Sequence, residues 1–258
     1  MFERLQKPFL TVETGEAYQP IRLTYELAQP DQIESALNAL KCCEPANPTT
    51  WNWYWRDECA DLHFESVDNF KRKSTAPIKL GAFILRDGKL YLSLTSFKRA
   101  CMAVGFFHRT ISPVITKVSH ADFINKVFGT DEQLPHGFAE LFNEDELAAI
   151  VNLRVSDYEK VQMNCEHAKS ADEAIAILNT YNKQESQKRL PFAERYGFQY
   201  TEESNDPDVI FLSFYIFLRS RELVAIHRWF GDTGYTLLDA ADEAMTQVFG
   251  TMDVDILE

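Results

Sequence analysis

The segment Asp57-Glu58-Cys59-Ala60-Asp61-Leu62-His63-Phe64-Glu65 is the densest group of potential ligands in the chain. On an extended strand Asp61, His63 and Glu65 share one face, because successive side chains alternate sides. Two carboxylates and an imidazole so placed could hold a divalent cation or divide acid and base work, as a metal-assisted hydrolase requires. The same spacing describes the solvent face of an edge strand that buries Leu62 and Phe64, and an antiparallel sheet produces that pattern routinely.

Three of the four tryptophans, Trp51, Trp53 and Trp55, alternate with Asn52, Tyr54 and Arg56. A strand would project all three indoles from one face. Exposed, that row with Arg56 could stack on sugars or on the bases of a single-stranded nucleic acid, or anchor a protein partner. Buried, it would form a core under a helix, which is the simpler way to satisfy so much apolar area.

Other chemistry-bearing groups are isolated. Cys165-Glu166-His167 sets a thiol two residues from an imidazole, but nucleophilic pairs are assembled across a fold and not by adjacency. Asp232-Thr233-Gly234 matches the three-residue core of aspartic proteases, yet the chain has no second copy, and Gly231 to Gly234 has turn composition. His108, His120, His136 and His227 show no ligand spacing. There is no GxG among the ten glycines, no GxxxxGK[ST], no GxSxG and no HExxH, so the familiar nucleotide and hydrolase signatures fail. Five cysteines, Cys42, Cys43, Cys59, Cys101 and Cys165, are an odd set without C-x-x-C spacing. Neither a disulfide framework nor a zinc ribbon is signalled, and no cofactor is expected.

Charge narrows the partner. The net charge is −13 over 258 residues, with 45% apolar and 25% charged side chains, which is the composition of a soluble folded protein. Residues 1–130 carry 16 basic and 14 acidic side chains, whereas residues 131–258 carry 10 and 25. The acidic half would repel a phosphate backbone, so nucleic acid is disfavoured there. It would instead attract a protein with a basic surface. In the first half, Lys71-Arg72-Lys73, Lys98-Arg99 and Arg109 could form a basic face. The most continuous apolar run, Val209 to Leu218, is ten long, too short to span a bilayer. Glu3 and the lack of an apolar stretch after it do not suit a secretory signal, so a cytoplasmic location is expected.

Around these residues the periodicity gives strands at 7–13, 20–27, 51–56 and 61–67. A helix follows Asp31, with Glu34 completing a capping box. KLGAFILR and KLYLSLTS flank Asp87-Gly88, the signature of a type I′ hairpin covering about 80–95. Ser96, Ser119, Asn143 and Ser170 can each cap a helix, so the middle of the chain reads as helical. Val209 to Leu218 and Leu223 to Trp229 read as a second hairpin turning at Arg219-Ser220-Arg221-Glu222, and a last helix runs to Gly250. The order indicates an α+β fold with a mainly antiparallel sheet. One domain over 1–258 is expected, with two lobes, 1–130 and 131–258, as the alternative. The repeat of Val-Phe-Gly-Thr at 127–130 and 248–251 raises the question of a duplication. The leading functional expectation is a non-catalytic binding or adaptor protein. A metal-assisted hydrolase using Asp61, His63 and Glu65 is the alternative, and single-stranded nucleic-acid binding through Trp51 to Trp55 with Lys71, Arg72 and Lys73 is a further one.

Overall fold

The computed structural model describes residues 8–64, 77–111, 115–135, 137–200 and 207–250. Seven strands, β1 (Ile21–Leu27), β2 (Cys43–Asn47), β3 (Thr50–Tyr54), β4 (Lys79–Arg86), β5 (Lys89–Leu94), β6 (Thr116–Ile124) and β7 (Ala193–Gly197), form one sheet in the order β2-β3-β4-β5-β1-β6-β7. Every pairing is antiparallel. The helices are α1 (Pro30–Asn38), α2 (Phe97–Thr110), α3 (Phe138–Leu141), α4 (Glu144–Glu166), α5 (Ala171–Gln187), α6 (Pro207–Trp229) and α7 (Leu237–Phe249). The fold is α+β, with the expected helical middle section and C-terminal helix. No helix among the described residues is long and apolar enough to cross a membrane.

The β4–β5 hairpin forms as its turn dipeptide dictates. Asp87 and Gly88 both have positive φ, 51° and 72°, and Arg86 pairs with Lys89, the geometry of a type I′ turn. Gly81 lets β4 lie close to β5: a Cβ there would sit 2.6 Å from Leu94 Cδ2 and 2.8 Å from the Ser93 carbonyl oxygen.

Alternation then sorts the two faces of the sheet. One face carries Ile21, Leu23 and Tyr25 from β1, Leu90, Leu92 and Leu94 from β5, Phe83 from β4, and Trp51 and Trp53 from β3, all buried in one core. Helix α2 covers this face with Phe97, Ala100, Val104 and Phe107, and α6 adds Ile210, Phe214 and Leu218. Ser96 caps α2 by accepting from Arg99 N–H, while Asn143, Ser170 and Thr236 cap α4, α5 and α7.

Four expectations are corrected. Residues 209–229 are not a hairpin but lie in the single helix α6. The run is apolar all round because α2, α7 and strands β6 and β7 surround it, and periodicity does not separate such a helix from a buried strand. The supposed turn is helix interior: Ser220 Oγ donates to the Ile216 carbonyl, Arg219 pairs with Glu222 one turn on at 2.7 Å, and Arg221 reaches Glu194 of β7 at 3.0 Å. Ser119 does not cap a helix. It lies in β6, where the register shifts opposite Thr24 and Tyr25, and its hydroxyl donates to the Thr24 carbonyl. That irregularity breaks the alternation a strand reading needs. Residues 8–13 contribute only single bridges, Phe9 with Gly129 and Thr11 with Ala17. Helix α1 starts at Pro30, and no side chain caps it.

Candidate binding site on the open sheet face

The opposite face of the sheet is polar in its centre and is roofed only in part. By alternation it carries Arg22 and Thr24 of β1, Ala82, Ile84 and Arg86 of β4, Tyr91 and Ser93 of β5, His120 and Asp122 of β6, and Arg195 of β7. The strand register fixes the rows: Arg22 lies opposite Ser93, which lies opposite Ala82, and the next row is Thr24, Tyr91 and Ile84. Phe138 of α3, Phe142 and the first turn of α4 fold over one side. Phe142 and Leu147 pack in a second small core with Ile124, Phe128 and Leu141, and this core holds the roof in place.

Between that roof and strands β1, β4 and β5 lies a cavity of about 600 Å³, within the usual range of small-molecule sites. Ala82 and Ile84 form an apolar strip along its floor, buried Leu80 closes one end where the β3–β4 register shifts, and Phe138 and Gly137 form part of its wall. Ile84 stays 39% exposed although it is a large apolar residue. Lys79 and Arg99 lie at one end of the strip and Arg86 at the other, with Arg22, Tyr91, Ser93 and Thr95 between. The Arg22 guanidinium carbon lies 5.4 Å from the centre of the Tyr91 ring and 5.1 Å from that of Phe142, and Arg86 also lies 5.4 Å from Tyr91.

Arg22 is 7% exposed and belongs to a four-residue ion cluster. Its Nη2 donates to Asp122 Oδ2 and to Glu144 Oε1, both at 2.7 Å. Arg195 donates to Asp122 Oδ1 at 2.6 Å and to Glu144 Oε2 at 2.7 Å. Two guanidiniums thus share two carboxylates, and Asp122 is fully buried. Burial works against the charge on Arg195, but its bonds to Asp122 and Glu144 more than offset this and raise its pKa. Desolvation likewise opposes ionisation of Glu144, and the Arg195 and Arg22 contacts overcome it to lower the pKa. Burial lowers the pKa of His120, with Asp122 opposing that shift from 3.9 Å. One donor stays unused: Arg22 Nε is buried without a hydrogen-bond partner.

Arg99 is a clamp. It is buried, not part of a basic face, and donates to Glu13, Thr14, Thr95 and the Lys79 and Leu80 carbonyls. This ties the loop at 13–14 to the start of β4. Arg109 is exposed at the end of α2, and Lys71, Arg72 and Lys73 lie outside the described residues.

The residues singled out by sequence spacing sit elsewhere. Trp51 and Trp53 are 1% and 0% exposed on the covered face. Trp53 stacks on Phe106 at 6.0 Å and meets Phe107 edge-on at 5.0 Å, so these indoles offer no platform for a base or a sugar. Trp55 is half-buried against Phe64, and its Nε1 donates to the Ala60 carbonyl. Arg56 donates to the Lys41 carbonyl and pairs with Glu44 and Asp57. Asp61 and His63 are exposed in a turn and an irregular segment, not on a strand, and Glu65 lies outside the described residues. Among the described residues no three His, Cys, Asp or Glu side chains are placed to hold a metal ion.

Cys165 and His167 are not paired: the thiol faces the Ala174 carbonyl and the imidazole faces the Met163 carbonyl. Asp232 organises the turn between α6 and α7, accepting from Gly234 and Tyr235 N–H and meeting His227 at 3.1 Å. Cys42, Cys43 and Cys59 are buried and unbridged. The contact with Cys43 chiefly raises the pKa of Cys42, Cys42 does the same to Cys59, and burial pushes Cys101 up to about 12. Thiols held protonated in this way are poor nucleophiles.

The Val-Phe-Gly repeat has two different settings, after strand β6 at 127–129 and at the end of α7 at 248–250. Comparison with known proteins adds nothing to these observations: no family model, no curated protein and no solved structure matches this chain.

Proposed function

We propose that this chain is a non-catalytic binding protein and that its ligand occupies the cavity on the open sheet face. One observation carries this reading: the strip of Ala82 and Ile84, ended by Leu80, runs beside Arg22, a nearly buried cation whose Nε has no hydrogen-bond partner, in a space of about 600 Å³. An apolar concavity with a few convergent polar groups is the usual form of a ligand site. The five unbridged cysteines support a reducing compartment, and the cytoplasm is the natural one.

Titration with the neutral fluorophore N-phenyl-1-naphthylamine tests the reading. The protein should enhance its emission saturably, and Ala82→Trp, which fills the strip, should abolish the effect without lowering the melting temperature by more than a few degrees. A folded Ala82→Trp protein that binds the probe as the parent does would refute it.

A second reading is favoured by α4 and α5, where exposed Tyr158, Met163 and Ile175 lie among acidic side chains. These helices suit a protein partner with a basic surface, in line with the charge of residues 131–258. Such an association would weaken steeply with salt, because exposed charges are screened beyond about 10 Å at 0.1 M. A partner held equally well at low and high salt would count against it.

A further inference from the structure

Resting on that cavity as the ligand site, we propose that the ligand is a monoanionic amphiphile, a carboxylate on a medium-length apolar body, with the carboxylate beside Arg22 and the body along Leu80, Ala82 and Ile84. The apolar half of the argument is the strip itself. Ala82 and Ile84 project from one strand on one face, about 7 Å apart, buried Leu80 lines the end of the strip, and Phe138 lines the roof side. A chain or flat ring system laid along β4 would cover Ala82 and Ile84 and end at Leu80.

The anionic half rests on Arg22. The register places it in the same row as Ser93 and Ala82, so a group bound beside it is still next to the strip. Its Nε is buried without an acceptor, and a buried donor on a charged group left unmatched is among the costlier defects a fold can carry. Arg22 lines the cavity, so a carboxylate set against its guanidinium would meet Nε once the side chain shifts enough to expose that atom, and the Ser93 hydroxyl in the same row would donate to the other oxygen.

The valence follows from the neighbours. Arg22 and Arg195 are matched by Asp122 and Glu144, Arg99 by Glu13, and Arg86 by Asp87 at 3.3 Å. Lys79 remains as the one charge in excess among the described residues lining the cavity. A single negative charge restores neutrality, whereas a dianion would be placed against Asp122 and Glu144 on the far side of Arg22.

The test is displacement of bound N-phenyl-1-naphthylamine at pH 8 by decanoate, decanol and decyl phosphate. Decanoate should displace the probe at least ten-fold more effectively than decanol and at least as well as decyl phosphate. Arg22→Gln should erase the advantage of decanoate while leaving decanol unchanged. Because Arg22 also holds the ion cluster, Ala82→Asp is the second variant. It sets a carboxylate in the strip without touching the cluster, and should weaken decanoate ten-fold or more relative to decanol. If decanoate and decanol compete equally, the cavity reading stands and the anion is wrong. If decyl phosphate wins by ten-fold, the monoanion is wrong. If the probe does not bind and calorimetry finds no heat with decanoate, the cavity reading fails with it.

Discussion

Arg22 and Trp53 stand on opposite faces of one sheet, and the sequence pointed to the second of them. The period-two tryptophans were visible because they lie within one short stretch of chain, and of the two readings the spacing allowed, Trp51 and Trp53 take the core one. Arg22 gave no signal, since an Arg alternating with Leu and Thr is what any solvent-facing strand shows. What distinguishes it is Asp122 and Glu144, which lie 100 and 122 residues further along the chain. Replacing Trp53 by Ala should therefore cost roughly 3–5 kcal/mol, the usual penalty for emptying a buried aromatic site. Urea unfolding measures it, and a Trp53→Ala protein whose midpoint matches the parent would show that the indole is not in the core.

At the scale of elements, local chemistry determined some pieces and tertiary context the rest. The Asp87-Gly88 turn, the caps at Ser96, Asn143 and Ser170, and the course of α7 to Gly250 were legible because each is set by a few adjacent residues. Helix α6 was not, since its burial by α2, α7 and two strands removes the polar stripe that marks a helix. Length was the available signal, as 23 residues without an internal Gly or Pro exceed an ordinary strand. Strand β6 was misread through its register shift. Ser213 sits on an exposed position of α6, so Ser213→Pro probes the backbone alone. It should cost about 3 kcal/mol or more and reduce helical ellipticity at 222 nm. A variant with the parent's ellipticity and melting temperature would contradict the helix.

For the whole molecule, the ion cluster and the partly buried His120 make stability depend on pH in one direction. Burial lowers the pKa of His120, so the unfolded chain takes up that proton first as pH falls below about 6.5, and folding is disfavoured from there downward. The lowered pKa of Glu144 acts in the same sense further down: its contribution is complete above the unfolded carboxylate value and is lost as pH falls through the folded one. Thermal melts between pH 8 and pH 3 should show a shallow decline beginning near pH 6.5 and a steeper one in the carboxylate range. Stability that rises as pH falls from 7 to 5 would contradict the His120 assignment, and stability that holds level from pH 5 to pH 3 would contradict that of Glu144.

The binding account is tested most directly by amide chemical-shift mapping of the isotopically labelled protein titrated with decanoate. The shifts should concentrate on β4, β5 and β1, at Leu80, Ala82, Ile84, Tyr91, Ser93 and Arg22, and extend to Gly137 and Phe138 on the roof. Shifts confined to α4 and α5, or to the segment from Trp55 to His63, with the β4 amides unmoved, would contradict it.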